Sequence, residues 1–282
     1  MVNKNIINEQ ITKAIIIKCP ATGKARKRGQ GAVKEGVSFN DNPRNHTDEY
    51  SLNYPDGTRL VFDMYDTIKS ITIDGTTYDY SADTCYDELE YQKQELLNSG
   101  EISIGDDDLP YVFDNDFEFL KSYSDTFASV YGWGINEALR KGESLGDLFP
   151  GVAHDHFVEL ANRLPIDHKN LICLRIQNNI NHPNDKINRR IVKDKAHTST
   201  SIGADMASLV VNFGSDSENG KPWKIYTVIK KDSGVTGLFL GSALKEERGY
   251  DWESEVNFPP NRKSERLLID ETNHIIIQQP VI

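Results

Sequence analysis

Cysteine is scarce: three residues in 282, Cys19, Cys85 and Cys173, odd in number and far apart. Such a set is not a disulfide framework, and no CxxC or Cys/His spacing suggests zinc. Basic residues are also in deficit, 32 Lys and Arg against 43 Asp and Glu, for a net charge of −11. A surface that tracks a nucleic-acid backbone needs clustered Lys and Arg, so nucleic acid is excluded as a partner. A local basic face for a small phosphate-bearing ligand stays compatible with this charge. The one dense basic run, Lys24, Arg26, Lys27 and Arg28, reads as a solvated loop. No apolar stretch approaches the roughly 20 residues of a membrane helix. Ile15 to Ile17 is too short for the core of a secretory leader. The expectation is a chain without a membrane span that, if exported, takes a leaderless route. No GxGxxG occurs, which removes the dinucleotide-binding fingerprint.

What remains is the composition of an ordinary globular protein, 38% hydrophobic and 27% charged, long enough for one large domain or two modest ones. Residues 1 to about 50 are polar, and Ala21 to Arg44 reads as loop. From Thr58 an alternation begins, with Leu60, Phe62 and Met64, then Ile71 and Ile73. Asp74-Gly75 predicts a hairpin turn to Thr76–Tyr80. A polar helix over Asp83 to Asn98 stops at Ser99-Gly100. Asp106 to Asp108, with Asp114 and Asp116, lacks the glycine and terminal Glu of a calcium loop and reads as a solvated turn. A composition shift near Pro110 suggests a region 1–110 and a domain 111–282.

Helical periodicity covers Phe117 to Lys141 and Val152 to Arg163. His154 and His156 lie at i, i+2 with no third ligand nearby, a poor metal site. Strands are predicted over Leu171–Ile176, Ile225–Ile229, Gly237–Leu240, Glu255–Phe258, Arg266–Ile269 and His274–Gln278. Helices followed by short strands make an α+β order rather than an alternating βαβ one.

Three features carry chemistry. In Trp252-Glu253-Ser254-Glu255-Val256, residues i and i+2 of a strand face the same way, so Glu253 and Glu255 project together. Paired carboxylates split their pKa values, and one tends towards a proton-accepting role. A solvent-facing strand end is the plain alternative. His197-Thr198-Ser199-Thr200-Ser201 is a hydroxyl cluster on a probable strand, able to orient a carboxylate or simply to face water. Arg175 sits in the apolar run Leu171 to Ile176 and requires a partner there. A phosphate satisfies that need, and so does an internal salt bridge.

Arg, Ser-Thr-Ser and Glu-x-Glu in this chain order resemble the mono-ADP-ribosyltransferase toxins, especially the enzymatic components of binary actin-modifying toxins. Tyr131, Ile135-Asn136 and Leu139-Arg140 match the helix that precedes the family's catalytic strands. Lys231-Asp232-Ser233 and Gly237 to Leu240 fit the strand after the hydroxyl motif. Gly249-Tyr250 before Glu253 and Pro259-Pro260 after Glu255 fit the loop and late strand. Ile176 departs from the Gly or Arg that often follows the first-strand Arg, and no nicotinamide-gripping residue aligns within Asn178 to Lys195.

The resemblance implies a split, mostly antiparallel β-sandwich core over 111–282, with an additional β-containing N-terminal region that serves delivery, partner binding or target recognition. It implies NAD as co-substrate and a host protein as target, with arginine the favoured acceptor and threonine or another side chain open. The place of action would be the host cytosol. Glu255 would stabilise the ribosyl cation, Glu253 would serve the acceptor, and Ser199 would hold Glu255. Arg175 and Arg140 would grip the NAD phosphates, Thr200 and Ser201 would buttress the site, and Tyr250 and Trp252 would touch the target or merely pack. An NAD glycohydrolase and a catalytically silent binding module are the alternatives.

Overall fold

A computed structural model describes residues 50–63, 67–80, 82–105, 110–130, 132–145, 149–177, 190–202, 222–240 and 255–282. The N-terminal part is a meander of β1 (Tyr50–Asn53), β2 (Arg59–Phe62), β3 (Ile68–Ile73) and β4 (Thr76–Asp79). Alternation drives it: Leu60, Phe62, Ile71 and Ile73 are buried. The turn at Asp74-Gly75 takes positive φ at both residues, 49° and 75°, as a tight hairpin with right-handed twist requires. Helix α1 (Ala82–Leu97) and the small hairpin of β5 (Ile102–Ile104) and β6 (Tyr111–Phe113) follow.

The stretch read as one helical pattern divides into α2 (Asp116–Val130) and α3 (Gly132–Lys141), and α4 covers Phe149–Arg163. The remaining strands are β7 (Leu171–Gln177), β8 (Ile191–Lys193), β9 (Thr198–Ser201), β10 (Trp223–Ile229), β11 (Leu238–Phe239), β12 (Glu255–Phe258), β13 (Lys263–Asp270) and β14 (Ile275–Val281). The class is α+β, with antiparallel pairing dominant and parallel pairs only at β4–β7 and β10–β14 among the described residues.

The large sheet runs β1-β2-β3-β4-β7-β10-β14-β13-β8 and forks at β7. One edge of β7 pairs with β10 along its full length. The other edge is shared: Leu171 pairs with Asp79 of β4, and Leu174 pairs with Ser201 of β9. From β9 the second branch continues to β12 and β11. Ile172 and Leu174 of β7 join a core with Leu52, Leu60, Tyr226 and Ile277, while Leu171 and Cys173 join Val256, Phe258 and Ile202 between the branches. Strands β1 to β4 therefore share one sheet with β7 to β14, and one core with residues of β7, β10, β13 and β14. Tyr54 reinforces this, donating its hydroxyl to Asp270 at 2.8 Å across the buried interior.

Helices α2, α3 and α4 pack together on Phe119, Leu120, Ile135 and Phe157, with Leu238 and Leu240 beneath. Helix α1 is clipped to this layer by the fully buried Gln92. Its amide nitrogen donates to the carbonyls of Pro165 and Gly237, and its oxygen accepts the Phe239 N–H. Gln92→Leu keeps the volume and abandons three buried backbone groups. It is expected to lower unfolding free energy by about 3 kcal/mol, measured by urea denaturation; an unchanged midpoint would contradict the clip.

Candidate active site

The pairing of β9 with β12 builds the candidate site. Glu255 lies opposite Ser201, Val256 opposite Thr200, Asn257 opposite Ser199 and Phe258 opposite Thr198. Cross-strand partners share a face. Ser199, Ser201, Glu255 and Asn257 thus form one face, and Thr198, Thr200, Val256 and Phe258 the other. Apolar Val256 and Phe258 bury their face against β7, which turns the hydroxyl–carboxylate face towards the helices. Ser199 is exposed, and Ser201 and Glu255 are half-buried. In this register the residue directly across from Glu255 is Ser201, and Ser199 is its diagonal neighbour. Thr200 is buried, and its hydroxyl donates to the Val256 carbonyl at 2.9 Å, fastening the two strands.

Arg175 belongs to the other face. Its guanidinium donates to Asp194 at 3.1 Å, and Asp194 also accepts the Thr198 hydroxyl and the Ala196 N–H. The internal ion pair offered by the sequence is therefore formed. Arg175 nevertheless lines a cavity of about 270 Å³ at the open end of the fork, together with Arg140 of α3, Lys193, Arg262, Arg266, Thr198 and Thr200. Five cations face one carboxylate, Asp194, in a chain whose net charge is −11. Arg262 is also desolvated, which draws its pKa down, and it lies over the Phe258 ring. Such a lining favours an anion. Ser201 and Glu255 stand at the end of their strand pair nearest Leu174 of β7, while Thr198, Thr200 and Phe258 line the cavity from the opposite face.

The structure brings Arg140, Arg175 and Thr200 to the cavity, and Ser199, Ser201 and Glu255 to the face behind it. Glu253, Tyr250 and Trp252 lie outside the described residues, as do Tyr131, Asp106 to Asp108 and most of Asn178 to Lys195. No group of metal-binding side chains occurs among the described residues. His154 and His156 point to different partners: His156 hydrogen-bonds Asp116 at 2.7 Å, and His154 meets His197 at 2.7 Å. Positions i and i+2 of a helix do not share a face, and that spacing on α4 was the available signal. Arg262 and Arg266 were missed because they look like solvated charges at a strand start, yet Arg266 is buried.

Burial drives the His197 pKa down to about 4, helped by the neighbouring His154 and opposed by hydrogen bonds to Asn257 and the Phe258 backbone. His154 is lowered as well, by burial. The unfolded chain then binds protons that the folded chain refuses, so stability falls as pH drops from 6.5 towards 4. The His197 share is expected to be about 3 kcal/mol. Urea midpoints taken from neutral pH down through this window should decline, and a flat profile would contradict the assignment.

No family model matches the chain, and no curated protein matches it. Among solved structures it is similar to the ADP-ribosyltransferase Vis, at 18% identity over 71% of this chain and 83% of that one, with a TM-score of 0.43. It is also similar to C2-I, the enzymatic component of the C2 toxin from Clostridium botulinum. That match has 13% identity over 83% of this chain and 59% of C2-I, with a TM-score of 0.47. A third is C3stau2 from S. aureus, solved with NAD, at 13% identity over 59% of this chain and 86% of that one, with a TM-score of 0.40. With so little sequence in common these are likenesses of shape, and the chemistry has to be read from this chain's own residues.

Proposed function

We propose that this chain transfers ADP-ribose from NAD to a side chain of a host protein, acting as a toxin or effector in the host cytosol. The observation that carries the reading is the β9–β12 register, which sets Glu255 across from a hydroxyl strand beside a cationic cavity. The donor set suits NAD. A pyrophosphate matches the guanidinium groups of Arg175 and Arg140, and the nicotinamide ribose is assigned to Glu255 on the neighbouring face of the strand pair.

The proposed reaction breaks the bond between nicotinamide and ribose C1 and forms a bond from C1 to the acceptor atom, which loses a proton. Cleavage passes through an oxocarbenium-like state that a nearby carboxylate stabilises. Glu255 takes that role, and Ser199 and Ser201 orient it. Glu253 is assigned to the acceptor, Thr200 to buttressing through its bond to Val256, and Tyr250 and Trp252 to the target. Arginine is the favoured acceptor, because the two-carboxylate form of the motif accompanies that choice in the resembling toxins.

Glu255→Gln is expected to reduce both nicotinamide release and protein labelling by about a hundredfold or more, with NAD affinity nearly unchanged. Glu253→Gln is expected to lose labelling and keep slow nicotinamide release. Release without labelling by the wild-type chain would indicate a glycohydrolase. Binding of NAD without release would indicate a silent module, and full activity in both variants would overturn the site.

A further inference from the structure

Along the hydroxyl–carboxylate face lies a buried polar chain that the proposed chemistry does not use. His197 stands two residues before Ser199, and Asn257 two residues after Glu255, on the same side of the strand pair. His154 of α4 reaches His197 with Nε2 to Nε2 at 2.7 Å, and His197 Nδ1 lies 2.9 Å from Asn257 Oδ1. The backbone N–H of His197 donates to Asn136 Oδ1 of α3 at 3.0 Å. Both rings are buried, 4% exposed for His154 and 8% for His197.

With both imidazoles neutral, one arrangement of protons satisfies these contacts. Asn257 Oδ1 accepts, so His197 carries its proton on Nδ1 and offers Nε2 as an acceptor. His154 must then donate from Nε2. A proton added at His197 Nε2 is accommodated only if His154 exchanges its Nε2–H for the Nδ1–H tautomer, because two N–H donors cannot face each other across 2.7 Å. The Asp155 carboxylate stays 3.9 Å from His154 Nδ1, and Asp194, on the loop before β9, is engaged by Arg175 and Thr198. The Phe157 ring meets His197 edge-on, and Tyr123 of α2 stacks on Phe157.

We propose that His154, His197 and Asn257 are positioning residues, a hydrogen-bonded chain that pins β9 to β12 and to α4 and holds Ser199, Ser201 and Glu255 in working register. The proposal rests on the reading of Glu255 as the reacting carboxylate. Short strands need such a pin. Four-residue partners, β9 and β12, have few ladder bonds, and a one-residue slip would send Glu255 to the wrong face. The pin acts at the end of the pair that carries Thr198 and Phe258, and its hydrogen bonds run among His154, His197, Asn257 and Asn136.

His154→Leu removes the donor and leaves His197 Nε2 buried and unbonded. His154→Gln keeps an amide donor for His197 and cannot be protonated. In the full chain, His154→Leu is expected to lower kcat for nicotinamide release about tenfold with KM for NAD unchanged. His154→Gln is expected to restore kcat to near the wild-type value. Unchanged kcat in His154→Leu, or a His154→Gln variant as impaired as His154→Leu, would overturn the proposal. If the wild-type chain releases no nicotinamide at any pH, the functional reading fails first. The pin is then tested by NMR of the unliganded chain. The Thr200 and Ser201 amide signals should move in His154→Leu and stay near their wild-type positions in His154→Gln, and amides indifferent to His154→Leu would overturn it.

Discussion

Strand β7 is buried on both faces, with Leu171, Ile172 and Cys173 fully inside and Leu174 nearly so. A strand of this kind has to sit in the middle of a sheet, and its neighbours decide what the rest of the molecule can do. One edge is filled by β10. The other is divided between β4 near Leu171 and β9 at Leu174, so the sheet must part. That parting creates the branch of β9, β12 and β11 and leaves the cavity at its mouth. An apolar strand with a shared edge is thus the structural origin of the site.

The branch then sorts chemistry by parity. Val256 and Phe258 pay their apolar area into the space against β7, and everything one residue out of phase is turned the other way. Ser199, Ser201 and Glu255 share their face with His197 and Asn257 for this reason. Arg175 obeys the parity of β7 and reaches the cavity instead, where it donates to Asp194. Thr200 spends its hydroxyl on the Val256 carbonyl, a strand-fastening contact suited to buttressing.

Much of the fold was legible because local patterns report faces. Leu171–Ile176 and Ile225–Ile229 are apolar without alternation and became the two central strands, and Asp74-Gly75 announced its turn through residues that tolerate positive φ. The hydroxyl strand and Glu255–Phe258 were also visible as strands. Their mutual register was not, since it depends on a contact across 56 residues such as Thr200 to Val256. Nor did periodicity disclose that Asp194 would meet Arg175, or that His154 would find His197 rather than act with His156. Those pairings are set by the fork, which no local window contains. The shared core of the N-terminal meander was hidden likewise, because Tyr54 and Asp270 meet from 216 positions apart.

Transfer of an ADP-ribosyl group from NAD to protein, proposed for the strand carrying Glu255, has a direct readout. Mass spectrometry of a host-cell lysate incubated with the full chain and NAD tests it most directly. A discrete host protein carrying one added ADP-ribose on an arginine is the result this account predicts. NAD left intact, with no host protein gaining that mass, would contradict it.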